Sequence, residues 1–217
     1  MKATLHQPDL LPWSGFWYKM ATTEVFGLLV HDQYQKGGYQ KRVQMRGTWV
    51  SHRTVKAPLN TPIRDIELHE GWQAHLTNSI RGRYQSSRYW GERGEDLIGR
   101  IEGLEPSTLL AEANVQLIHM IRELLGIQTP LVIVPEPPEG LSGRDRVLWE
   151  LGELGCTRYV SGTGGTAYLG EEDDIHRVFG EAGMSFEWSR HAPRTGDSIV
   201  TVLMDEADPL AAILEET

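Results

Sequence analysis

Short apolar runs and helical stripes alternate along this chain, and their order already suggests a fold class. Lys2-Ala3-Thr4-Leu5-His6 predicts a short strand, broken by Gln7-Pro8. Ser14 follows Pro12-Trp13 and is placed to cap a helix running through about Ala21. Val25 to Val30 is an unbroken apolar run, the pattern of a strand buried on both faces of a parallel sheet. Strand, helix and strand within about 30 residues make a Rossmann-like βαβ start, with a right-handed crossover expected. After Asp32 comes the polar loop QYQKGGYQKR, whose Gly37-Gly38 marks a sharp turn or a mobile tip.

Beyond that loop, Val43 to Val50 alternates loosely and predicts an extended, hairpin-like insertion. Residues 57–63, with Pro58 and Pro62, form a connector. Apolar residues at 72, 76 and 80 predict a helix over 72–84, whereas the Gly-rich 91–103 specifies little. From Pro106 to Gly126, Leu109, Leu110, Ala113, Leu117, Met120, Ile121 and Leu124 build one apolar stripe. Strands are expected at 131–134 and 158–161, and an extended piece at 184–188. Helices are expected at 147–154, with Gly155 as C-terminal cap, at 174–182, and over Pro209–Glu216. The alternation predicts a single α/β domain over 1–217 with a mainly parallel sheet.

Charge sharpens this picture. The chain carries a net charge of −9, which disfavours nucleic acid as a partner. Residues 1–91 nevertheless hold twelve Lys/Arg against six Asp/Glu, and the remainder holds nine against twenty-four. Between 33 and 64 there is no acidic residue, while Lys36, Lys41, Arg42, Arg46, Arg53, Lys56 and Arg64 accumulate. Five of the seven tryptophans and five of the seven tyrosines also precede residue 92. The opening residues lack a secretory apolar core, no run is long enough for a membrane span, and a single cysteine, Cys156, fits a reducing cytoplasm. Cys156 reads as a buried small hydrophobe. The histidines show no HExxH-type spacing and one thiol cannot build a cluster, so no metal site is assigned.

Candidate chemistry gathers where strands end, because open parallel sheets bind ligands beyond their carboxyl edge. His6 and Gln7 close the first strand, His31-Asp32-Gln33-Tyr34 follows the second, and Ser161-Gly162-Thr163-Gly164-Gly165 follows the 158–161 strand. His6 is either an acid/base or a hydrogen-bond donor to a phosphate, or else a histidine tying the first turn to backbone carbonyls. Trp13-Ser14-Gly15 is either an anion cradle at a helix start or a close-packing glycine. Asp32 either orients substrate or a metal, or stabilises its own loop. Lys36, Lys41 and Arg42 either bind a phosphate or carboxylate or are simply solvated. Ser161 and Gly162 open a nest of backbone N–H groups, without the Lys-Ser/Thr of a phosphate-binding P-loop.

LHQPDLLPWSGFWYKM followed by VFGLLVHDQYQKGGYQKR resembles the opening of the WbqC-like family. That family runs His-Gln-Pro, Leu-Pro-Trp-x-Gly-Phe, a strand, and Asp-x-x-Tyr-x-Lys before a basic step. The resemblance continues through Trp49, Trp72, His75, Tyr84 to Tyr89, Asn114, Leu125 to Thr129, and Tyr159 to Gly162 with Gly165 and Tyr168, spanning about residues 3–204. Two departures stand out: Lys41-Arg42 where the family has Asn-Arg, and Val50-Ser51-His52 after the tryptophan.

The resemblance implies a cytoplasmic transferase of surface-polysaccharide (O-antigen type) or related small-molecule biosynthesis. Its substrate would be a nucleotide-linked sugar, or an aminoacyl group such as glycine passed to an amino sugar. His6 and Asp32 would be catalytic; Gln7, Trp13, Gly15, Tyr34, Lys36, Lys41, Arg42, Ser161 and Gly162 would bind a phosphate-bearing small molecule. The cofactor is open, a nucleotide with magnesium being the one considered, and so is the oligomeric state. Two other readings are an ATP-dependent, nucleotidyltransferase-like amide ligase, by layout alone, and a non-catalytic module binding a ligand or protein.

Overall fold

A computed structural model describes residues 1–165, 169–170 and 172–215. Tyr168 of the family pattern and Glu216 of the expected terminal helix lie outside the described residues. The described chain forms two compact units of interleaved segments: Met1–His6, Lys19–Leu29 and Thr129–His191 make the first, and Gln7–Tyr18, Val30–Gln128 and Ala192–Thr217 the second.

The first unit is built on a five-stranded, wholly parallel sheet. Its strands are β1 (Lys2–His6), β2 (Val25–Leu28), β5 (Leu131–Ile133), β6 (Arg158–Ser161) and β7 (Ser185–Trp188), in the order β5-β2-β1-β6-β7. The expected α/β class with a mainly parallel sheet is therefore found. Helix α1 (Ser14–Thr22) joins β1 to β2, which pair from Ala3–Val25 to His6–Leu28. β2 stops at Leu28, two residues short of the apolar run, so Asp32 does not terminate it.

Ala3, Leu5, Val25, Tyr159 and Phe186 from the strands pack with Val147, Leu151, Ile175 and Phe179 from α5 (Gly143–Glu153) and α6 (Glu172–Glu181). Cys156 is buried in this core, and burial pushes its thiol pKa up, away from nucleophilic use. Gly27 is needed for close approach, since a Cβ there would stand 2.7–2.9 Å from Leu5, Val134 and Leu154.

In the second unit, the expected hairpin is β3 (Arg42–Met45) with β4 (Thr48–Ser51), paired antiparallel. Its helices include α2 (Trp72–Tyr84), α3 (Trp90–Glu102) and α4 (Leu110–Leu124). α3 occupies the stretch whose glycines hid its pattern. Leu97, Ile98 and Ile101 are buried along one face, and Gly94 makes room for the Trp90 ring. The C-terminal α7 (Ile199–Asp205) and α8 (Pro209–Glu215) follow. α7 was not legible because Ile199 to Met204, Thr201 included, are all buried, and a segment buried all round has no helical period. Ser198 caps it, accepting from Val200 N at 3.3 Å while donating to Leu11 O at 2.8 Å.

Arg46, left-handed at the hairpin turn, locks this unit. Its two terminal nitrogens donate to the two Asp205 carboxylate oxygens at 2.6 and 2.7 Å, and one donates to Ser87 Oγ at 2.7 Å. The guanidinium carbon lies 4.8 Å from the Tyr84 ring centre.

Gly27→Val should destabilise the protein by about 1–3 kcal/mol through overpacking. Urea unfolding would read this directly, and an unchanged midpoint would count against so tight a contact.

Candidate functional site

In the first unit, the sheet order changes direction between β1 and β6. β1 leads outward to β2 and β5, and the chain then returns to the other side of β1. Such a switch point opens a crevice at the carboxyl ends. Backbone pairing between β1 and β6 covers only Lys2–Arg158 and Ala3–Tyr159, after which the buried Thr4 hydroxyl donates to Val160 O at 2.8 Å. The two strands end at His6 and Ser161, which flank this point.

His6 is half-buried, its ring roughly parallel to Phe26 at 6.3 Å, and its carbonyl accepts from Leu29 N at 2.9 Å. Ser161 is buried and donates to Gly162 O at 3.1 Å. Thr163–Gly165 closes as a single 3-10 turn, with Gly165 N donating to Gly162 O at 2.9 Å. Lys19, only 6 % exposed, reaches the same strand end: its Nζ lies 3.5 Å from where a Gly162 Cβ would stand. Sequence reasoning missed Lys19, although a lone cation inside the apolar stretch GFWYKMA was the available signal.

The remaining predicted residues belong to the second unit. Trp13 is half-buried and bridges Ser198 through the backbone, and Gly15 is buried in the first turn of α1. Gln7 donates through Nε2 to Asp32 Oδ2 at 2.8 Å and accepts from Gln40 Nε2. The carboxylate can only accept, so it fixes the Gln7 amide, which in turn fixes that of Gln40. Gln40 Oε1 is thereby left buried without a hydrogen-bond donor among the described residues. Tyr34 is held by Thr54 Oγ1 at 3.3 Å and by its own N–H donating to Thr61 O at 2.9 Å.

Lys36 is exposed, and Lys41 and Arg42 are half-buried. The Arg42 guanidinium lies 4.3 Å over Trp49, a diagonal neighbour across the hairpin. Tyr39, 51 % exposed, tilts against Trp49, 41 % exposed, at 5.9 Å. The Gly37-Gly38 tip is a held turn. Gly38 N donates to Gln35 O at 2.7 Å, and buried Gly38 lies against the Gln40 amide and Gln35 Cβ.

Asn114, fully buried on α4, organises this loop from beneath. Its Nδ2 donates to Pro8 O at 2.8 Å and to Gln40 O at 2.6 Å. Both amide protons being used, Oδ1 accepts from His52 Nε2 at 3.2 Å, which assigns the proton to that ring nitrogen. His52 N donates to Lys41 O at 2.7 Å, and its ring meets Trp72 edge-on at 5.4 Å. Burial, opposed by the Asn114 bond, lowers the His52 pKa to about 4.

The fold and its strand-end residues define an α/β protein with a topological switch point in its parallel sheet, and the second unit carries an aromatic, cationic loop. The model of the WbqC-like protein family matches residues 7–195, and the chain belongs to that family. It is also similar to an uncharacterised protein, Rv1507c, of Mycobacterium tuberculosis, at 24 % identity over 194 residues, covering 86 % of this chain and 81 % of that protein. No solved structure matches it.

Two predictions follow from the buried network. Asn114→Ala leaves two carbonyls and an imidazole N–H unpaired and should cost roughly 2–4 kcal/mol by urea unfolding. His52, neutral in the folded state to about pH 4, should also make stability fall as pH drops. Between about 6.5 and 4 the unfolded chain binds a proton that the folded chain refuses, a loss of up to roughly 3 kcal/mol. His52→Gln should flatten unfolding midpoints measured from pH 7 to 4, and an unchanged slope would refute the assignment.

Proposed function

We propose that this protein is a transferase acting on a phosphate-bearing small molecule in surface-polysaccharide or related biosynthesis. The preferred substrate is a nucleotide-linked sugar, or an activated aminoacyl group passed to an amino sugar. The observation that supports this most directly is the convergence of His6, buried Ser161 and the Gly162–Gly165 turn on the switch point between β1 and β6. In this reading His6 takes the proton of the attacking hydroxyl or amine, while the bond to the departing phosphate-type group breaks. Backbone N–H groups at the start of the glycine turn meet the developing negative charge.

Within the second unit, Lys36, Lys41 and Arg42 supply positive charge suited to phosphate, and Trp49 and Tyr39 offer faces for a sugar or base. Asp32, held by Gln7, is assigned an orienting role there.

Thermal-shift measurements with UDP- and dTDP-sugars, and with ATP, each with and without magnesium, test the reading. Saturation at a hundred times the dissociation constant adds about 2.7 kcal/mol, a visible change of midpoint. A nucleotide-sugar shift is expected. A magnesium-dependent shift with ATP alone would replace the transferase with an amide ligase, and no shift at all would point to a non-catalytic module. With a substrate in hand, His6→Ala should lower kcat by about 10²–10⁴-fold while the binding shift persists. Full turnover by that variant would exclude His6 as the acid/base.

A further inference from the structure

We propose that the outer face of the β3–β4 hairpin is an oxyanion site, in which Arg42, seated on Trp49, takes a phosphate group in the plane of its guanidinium. It rests on the reading of the second unit's cations as phosphate binders, and narrows that reading to one residue. Arg42 pairs with Ser51 and Gln44 with Trp49, so these four share one side of the hairpin. Val43, Met45, Val50 and His52 lie on the other side, and all four are buried. Lys41 continues that buried side, because His52 N donates to Lys41 O at 2.7 Å and pairs the two residues across the ladder. The neighbouring cations are thus turned to opposite sides, and of the two, Arg42 is the one that lies over the exposed Trp49 ring.

Arg42 carries an uncompensated charge. No carboxylate pairs with it among the described residues, and residues 33–64 contain no Asp or Glu. Its Nε is enclosed by protein without a hydrogen-bond acceptor among the described residues. Trp49 meets the charge with its ring face, Cζ lying 4.3 Å from the ring centre, but offers no oxygen to the N–H groups. A planar fork of donors left in this state fits a phosphate or diphosphate, which it can grip through two parallel hydrogen bonds. The chain beside it is bare. A Cβ on Gly37 would stand 3.4 Å from Nη2, and Gly37 has no left-handed φ that would call for glycine. Its missing side chain leaves the approach to Nη2 open, and exposed Lys36 precedes it in the chain. A phosphate held there would adjoin the exposed Tyr39 and Trp49 rings, so the ligand class is a nucleoside diphosphate, its ring against theirs.

Calorimetric titration of the full chain with inorganic pyrophosphate, UDP and uridine tests the site. The wild type should bind UDP more tightly than either of the other two. Arg42→Met should weaken UDP and pyrophosphate binding roughly ten- to hundredfold. Arg42→Lys should recover only part of the loss, since an ammonium lacks the planar fork. Trp49→Leu should weaken pyrophosphate binding too, yet add little in the Arg42→Met background, because Trp49 acts here by seating the guanidinium. Lys41→Met, on the other side of the hairpin, should leave the affinities nearly unchanged.

Equal binding by wild type and Arg42→Met would overturn the proposal. So would equal weakening by Lys41→Met and Arg42→Met, which would mark a diffuse field of charge, or a wild type that binds neither pyrophosphate nor UDP. If Arg42→Met does not fold, Arg42→Lys decides, and undiminished pyrophosphate binding there refutes the fork. The two readings fail separately. Arg42-dependent pyrophosphate binding with no response to nucleotide sugars would keep the oxyanion site and remove the transferase. Nucleotide-sugar binding indifferent to Arg42 would do the reverse.

Discussion

The parallel ladder through β1 is the constraint on which the first unit depends. Five residues, Lys2–His6, serve β2 on one side and β6 on the other. A central strand of this kind must be apolar in its middle, and Ala3, Thr4 and Leu5 are all buried. Thr4 is the polar one, and its hydroxyl continues the link to β6 after the backbone pairing has stopped. The same strand that closes the core therefore reaches the switch point of the sheet, and its last residue is the histidine proposed as the acid/base.

In the second unit the corresponding role belongs to a single buried amide. Asn114 satisfies Pro8 and Gln40 carbonyls and orients His52, so one side chain ties the Gln7–Gln40 region to a long helix. Every one of its hydrogen-bonding groups is used. The cationic loop is consequently held at its base, and its Tyr39 tilts against Trp49 of a hairpin that Arg46 fastens to Asp205. Charge and ring faces on this surface are fixed by packing beneath them.

Much of the fold was legible because burial leaves a periodic trace. β1, α1, α2, the 42–51 hairpin, α4 and β6 all fall where alternation or a helical stripe placed them. α3 and α7 failed for different reasons: one has too many glycines among its apolar positions, the other is buried from Ile199 to Met204, its threonine included. Of the candidate site, strand ends were readable from position alone, which is how His6 and Ser161 were found. Lys19 was not, because its meaning depends on its closeness to Gly162, 143 positions away in the chain. The Gln40–Gln7–Asp32 relay was equally hidden, since which amide faces which acceptor is settled only in three dimensions.

The Arg46–Asp205 clasp joins residues 159 positions apart, and β1 waits for a strand that begins at Arg158. On the ribosome, neither partner exists until Arg158 and Asp205 have been made. The first strand and the hairpin must therefore spend synthesis without their final neighbours, and high contact order makes the closing steps slow. β1, an apolar central strand, therefore stays exposed on its β6 side in a nascent chain until residues 158–161 have been made.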